Sequence, residues 1–273
     1  MNIIGLGKAG CAIAETFKKY DQYNILCVDT KNTGYSNFLS VKLQNSHEEY
    51  EKNYKKLNLA RYKGPTTLIL SGAGKISGCV LRILEQLQGR PINVLYIKPN
   101  DFSNRSFTRD KIVFGVLQQY TRSDKIKKLY VIANKNIESI IGPVTIADYW
   151  NNINNVISST YHMVNVFNNI EPILTNKSIG PPSCKIGTLG VVNYQTLKEK
   201  LFYNLQHPRT KNYFFGINSQ TLETDKKMFS RIRDFVSSKK AENTDIGFSI
   251  FPTQYEENYV YSTHMSSFVQ EQI

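Results

Sequence analysis

The chain has 273 residues, 41% of them hydrophobic and 21% charged, and its 34 Lys and Arg against 22 Asp and Glu give a net charge of +12. These figures fit one large folded domain or two modest ones and exclude a disordered chain. No apolar run approaches the roughly 18 residues of a bilayer span, and no secretory pattern precedes the first apolar segment, so a cytoplasmic protein is expected, in a host cytoplasm for a viral one. Cys11, Cys27, Cys79 and Cys184 form no CxxC pair and read as reduced thiols. The four histidines lack ligand spacing, and no metal site is expected.

In chain order, strands are expected at Asn2–Gly5, Asn24–Val28, Thr66–Leu70, Ile92–Ile97 and Lys127–Ile132, with helices near Gly10–Tyr20, Ile76–Gln88 and Thr108–Tyr120. This alternation implies βαβ units and a mainly parallel sheet covered on both faces. Apolar residues near helical spacing from Thr145 to Asn168 predict one long helix. The segment Asn169–Ser183, with Pro172, Gly180, Pro181 and Pro182, cannot continue it and marks a boundary. Beyond it the pattern predicts strand Ile186–Val192, helix Gln195–Leu205, strand Asn212–Ile217, helix Thr221–Ser237 and strands Thr244–Phe251 and Asn258–Thr263. The expected organisation is a nucleotide-binding domain over 1–144, a central helix over 145–170 and a smaller α/β domain over 171–273.

Two glycine-rich loops carry the chemistry. Gly5-Leu6-Gly7-Lys8-Ala9-Gly10 follows a strand and opens a helix, so backbone N–H groups can approach a phosphate at a helix N-terminus. Asp29 ends the next strand, where a dinucleotide fold places its ribose-binding acid. The second loop, Ser71-Gly72-Ala73-Gly74-Lys75-Ile76-Ser77-Gly78, also joins a strand to a helix. It is not a P-loop: Ile76 stands where Ser or Thr would hold magnesium, and the leading glycine is missing. Two such loops fit a nucleoside polyphosphate lying across the strand ends, with Lys8 and Lys75 nearby.

The ordered set of segments resembles the tubulin/FtsZ family over nearly the whole chain. Ile4–Gly10 is similar to its first glycine loop, and Cys27-Val28-Asp29-Thr30 to the next strand end. Gly72–Gly78 resembles the signature GGGTGTG and the residues before it. Ile97-Lys98-Pro99-Asn100-Asp101-Phe102 resembles TKPFxFEG, with Arg109 matching the arginine that follows. Leu129–Asn134 resembles IVIPND, and Ala147-Asp148 falls near the start of the central helix. The resemblance implies an α/β fold with a parallel Rossmann-like sheet, a long central helix and a smaller second α/β domain. It also implies GTP or GDP, with Mg2+ as a companion ion, and head-to-tail self-assembly. Phosphate contacts would come from Gly5, Gly7, Lys8, Gly10, Cys11, Gly72, Ala73, Gly74, Lys75, Ser77 and Gly78. Asp29, Thr30, Pro99 and Arg109 would lie toward the ribose, metal and phosphates, and Asp148 toward the base.

The departures define the alternatives. Lys75 and Ile76 replace signature glycines, and Cys79-Val80 replaces Thr-Gly. In the loop after the central helix Glu171 stands for the first of two family acids, but Leu174 occupies the second place. A leucine cannot orient water, so hydrolysis is expected to be weak or absent. One reading is a nucleotide-binding, self-assembling protein. A second is a structural protein of viral or plasmid type with a degenerate pocket, and a third is a dinucleotide oxidoreductase resting on the first loop and Asp29. The +12 charge leaves a polyanion or acidic protein open as a further partner.

Overall fold

The computed structural model describes residues 1–99 and 103–271; Asn100, Asp101 and Phe102, part of the TKPFxFEG-like segment, lie outside the described residues. The chain divides into two compact units, Met1–Ser158 with Glu271, and Ser159–Gln270. No helix among the described residues is long and apolar enough to cross a membrane.

The first unit holds strands β1 (Asn2–Leu6), β2 (Asn24–Asp29), β3 (Phe38–Ser40), β4 (Thr66–Leu70), β5 (Ile92–Lys98) and β6 (Lys128–Ala133). They lie in the order β3-β2-β1-β4-β5-β6, and every neighbouring pair is parallel. All residues of β1 and β4 are buried, which explains why neither alternates polar with apolar residues. Helices α1 (Gly7–Glu15), α2 (His47–Lys52), α3 (Val80–Gln86), α4 (Asn104–Arg122) and α5 (Asn134–Ile141) connect or follow the strands. Two expected helices are partly 3-10. The helix expected to Tyr20 stops at Glu15 and continues as a 3-10 turn, Thr16–Lys19, while the one after β4 opens with a 3-10 turn at Lys75–Cys79. The long α6 (Tyr149–Phe167) lies within the expected 145–170 helix, and the two units meet in sequence after its Ser158.

The second unit contains β7 (Leu174–Asn176), β8 (Ile186–Val192), β9 (Glu199–Leu201), β10 (Thr210–Asn218), β11 (Asp245–Thr253) and β12 (Tyr259–Ser266), with α7 (Ser219–Thr224) and α8 (Met228–Ser238). Its order is β8-β12-β10-β11-β7, with β9 beside β8, and only β10 and β11 run parallel. Tyr213, Phe215, Ile217, Ile232, Phe235 and Ile250 form its core. Two expectations are corrected here. Gln195–Leu205 is not a helix: the Asn193 side chain accepts hydrogen bonds from the backbone N–H groups of Gln195 and Thr196, and Leu197 takes φ 56°. That Asx turn sends Glu199 back along β8 as part of β9. The expected helix Thr221–Ser237 is two helices, broken where the Asp225 carboxylate accepts from the Lys227 N–H.

Glu199 is held by four side chains of this unit. Its carboxylate accepts from Ser262 Oγ at 2.6 Å and Tyr213 Oη at 3.2 Å, lies 2.9 Å from His264 Nε2, and meets Lys239 Nζ at 3.4 Å. Burial pushes this carboxyl upward, but the His264 hydrogen bond and charge, the Ser262 hydrogen bond and the Lys239 charge outweigh it and hold it at about 2.

Candidate nucleotide site

The register of β1 on β4 pairs Leu6 with Leu70, so both glycine loops leave the sheet side by side at the carboxyl ends of adjacent parallel strands. Ligands of open α/β sheets collect at such ends. Gly7 has φ 71°, a conformation glycine adopts without strain, and it begins α1. Gly5 and Gly10 serve close packing instead: a β-carbon on Gly5 would lie 2.6 Å from the Cys11 nitrogen, and one on Gly10 would collide with the Ile69 carbonyl of β4. Cys11 is fully buried, and its thiol donates to the Gly5 carbonyl at 3.4 Å, so it supports the loop from beneath.

The second loop is fixed by three elements. Ser77 Oγ lies 2.9 Å from the Gly72 carbonyl and 2.6 Å from that of Gly74, which closes the turn. Arg109 on α4 donates from Nε to the Ala73 carbonyl at 2.8 Å. Gly78 lies against the His47 carbonyl, at the start of α2. Behind the loop, Asp110 is fully buried; it accepts from Tyr96 Oη at 2.6 Å and pairs with Lys98 Nζ at 3.2 Å. Burial lowers the Lys98 ammonium from its ordinary value, with Asp110 opposing, and burial raises the Tyr96 phenol.

Two clefts flank the loops. The first, about 380 Å³, is lined by Lys8, Ala12, Ile97, Asn134, Trp150 and Asn154 among others. Asn134 is 7% exposed, and its Oδ1 has no hydrogen-bond partner. A buried amide acceptor left open costs free energy unless something donates to it. The second, about 340 Å³, brings Lys75, Arg105 and Arg109 together with His47, Glu48 and Thr108. Burial, aided by Arg109 and opposed by Glu48, holds His47 below its ordinary value, so this cleft collects its positive charge from Lys and Arg.

The remaining sequence candidates fall as follows. Asp29 ends β2, where its Oδ1 accepts from the Thr30 N–H at 2.7 Å, and Pro99 directly follows β5. Asp148 is exposed and bonded to Thr145 Oγ1 at 2.7 Å, just before α6; Trp150 and Asn154, one helical turn apart, line the first cleft. Glu171 and Leu174 belong to the second unit, both exposed, Leu174 within β7 opposite Ile250. Asn134, Trp150 and Asn154 were missed from sequence, although Asn134 closes the quoted Leu129–Asn134 segment and the i, i+4 spacing of the other two gives one helix face. Among the described residues, no three His, Cys, Asp or Glu come together as a metal site.

A parallel nucleotide-type sheet, glycine loops after its first and fourth strands, a long helix and a second mixed α/β unit are the tubulin/FtsZ fold. Several solved structures share that fold. A GTPγS-form protofilament of TubZ from Bacillus thuringiensis serovar israelensis is 15% identical with TM-score 0.71, covering 98% of this chain and 86% of that one. The GTPγS-bound protofilament of CetZ2 from Haloferax volcanii is 11% identical with TM-score 0.70, covering 97% and 92%. The empty FtsZ dimer of M. jannaschii is 11% identical with TM-score 0.68, covering 97% and 87%. No family model and no curated protein sequence matches the chain.

Proposed function

We propose that this protein binds a guanine nucleotide, GTP or GDP, across its two glycine loops and assembles head to tail, with hydrolysis weak or absent. The observation that carries the reading is the unpartnered Asn134 Oδ1 in a cleft continuous in sequence and topology with the first glycine loop. A purine offers ring or amino N–H donors to such an acceptor, and Trp150 offers a face for stacking. Guanine is favoured because the TubZ and CetZ2 structures of this fold were solved with GTPγS. The N–H groups opening α1 and the second loop would take the phosphates, with Lys8, Lys75 and Arg109 supplying charge. Asp29 and Thr30, at the end of β2, would face the ribose or a companion Mg2+. In the assembly, one subunit's second unit would meet the next subunit's nucleotide, a heterologous contact that extends rather than closes. Glu171 would be the acid that the loop after α6 brings there, because Leu174 neither polarises nor orients water.

A second reading, the same fold acting structurally without nucleotide, is favoured by one observation: Ile76 lies over Gly7. Calorimetric titration with GTP, with ATP and NAD as controls, separates the readings. Selective GTP binding is expected. Absence of binding to all three supports the structural reading, and NAD alone supports a dinucleotide enzyme.

A further inference from the structure

Parallel pairing gathers the segments that lead into the strands of the first unit at the end of the sheet opposite the glycine loops. There the Asn24 N–H donates to the Met1 carbonyl, Asn2 to Pro65, Thr66 to Pro91 and Lys127 to Ile92, at 2.7–2.9 Å. The row from β2 to β6 crosses four inter-strand steps, about 19 Å. Segments 16–23, 57–65, 87–91 and 120–127, which enter β2, β4, β5 and β6, hold eight Lys and Arg against Asp21 and Asp124. Eight minus two leaves a surplus of six, half of the chain's +12. Lys63, Lys125 and Lys127 are exposed, and Lys63 and Lys127 form no ion pair among the described residues. Lys18 is offset by Glu15.

Tyrosines stand among these charges. Lys19 Nζ lies 5.2 Å from the centre of the Tyr20 ring, the Arg61 guanidinium 5.0 Å from that of Tyr62, and Lys125 Nζ 4.6 Å from that of Tyr120. Tyr20, Tyr23 and Tyr62 also line a cleft of about 520 Å³, together with Lys18, Arg61 and Asn24. Tyr23 and Tyr62 are buried, whereas Tyr20 is half-buried. A row of cations attracts a phosphate backbone of any sequence, and rings set among them stack unpaired bases. A duplex keeps its bases stacked on one another and cannot use the rings, and an acidic polypeptide gains only the charge.

We infer that this amino-end row is a binding surface for single-stranded nucleic acid, with the backbone along the lysines and arginines and a base in the tyrosine cleft. The surface lies at the other end of the sheet from the glycine loops and does not depend on the nucleotide reading. The test is fluorescence anisotropy of a labelled oligothymidylate of about 20 nucleotides at several salt concentrations. Lys63→Gln, Lys125→Gln and Lys127→Gln are combined in one variant. Lys226→Gln, Lys227→Gln and Lys240→Gln, all exposed in the second unit, make a control of equal charge. Thermal melts verify that each protein folds. The row variant is expected to bind at least about tenfold more weakly and to flatten the slope of log affinity against log salt by about 2, with the control within about twofold of the parent. Tyr20→Leu is expected to weaken the oligothymidylate by about fivefold and to leave a duplex of equal length unaffected. No binding by the parent at low salt overturns the inference, as does equal weakening in the row and control variants. It is overturned too if Tyr20→Leu leaves the single strand unaffected, or if a duplex or polyglutamate binds more tightly than the oligothymidylate, since the surface then serves another polyanion.

Discussion

The hydroxyl of Tyr96 occupies the place that a β-carbon on Gly72 would need, with the Asp110 Cα another 3.0 Å from that position. The first glycine of the second loop thus faces the buried Tyr96–Asp110–Lys98 group, and its smallness serves packing as much as any ligand. Gly72→Ala is expected to destabilise the protein by about 1–3 kcal/mol through overpacking. Urea denaturation checks this, and adding Tyr96→Phe, which removes the colliding oxygen, should recover part of the loss. A tryptophan at Gly72 would disrupt the fold before it reported on binding.

Asn134 should trade stability against affinity. Replacing it with Leu removes a buried acceptor that lacks a partner, so the unliganded protein is expected to gain about 1 kcal/mol. The same change should weaken GTP binding at least about fivefold, since the base loses its acceptor. Melting curves with and without nucleotide read both signs at once. A gain in stability with unchanged affinity would remove Asn134 from the base site.

Glu199 sets an acid limit on the second unit. Its carboxyl is held at about 2 against an ordinary value of 4.5, so its contribution is fully present above 4.5 and is lost as pH falls toward 2. The loss should approach about 2–3 kcal/mol across that window. Glu199→Gln is expected to flatten this limb of the stability–pH curve and to lower stability at neutral pH. Denaturation at several pH values between 2 and 7 tests it.

Leu174 offers a gain of function. It is 42% exposed in a short strand, so Leu174→Asp should change stability by no more than about 0.5–1 kcal/mol. Phosphate release from GTP is expected to rise in the assembled variant. No rise, with assembly confirmed by sedimentation, would show that a second acid alone does not complete the water-positioning group.

Much of the first unit was legible because its strands are buried on both faces and so read as continuous apolar runs between glycine turns. β3, of three residues, and α2, of six, are too short to show a period. The second unit misled at Gln195–Leu205, where helical spacing was real but a side-chain turn at Asn193 and the pull of Ser262 and His264 on Glu199 prevailed. In the site, the glycines announced themselves by composition. Asn134 and Trp150 did not, because an open acceptor and a lining indole are defined by what surrounds them in space. Asp148, placed toward the base by the family resemblance, is hydrogen-bonded locally to Thr145.

Strands β3 and β7, each at one end of its unit's pairing order, are three residues long. So short a rim leaves few free N–H and C=O groups for another chain to pair with. Lateral pairing through these two rims into amyloid-like ribbons is thereby disfavoured. Short rims of this kind act as a built-in guard against sheets growing without limit from one copy to the next.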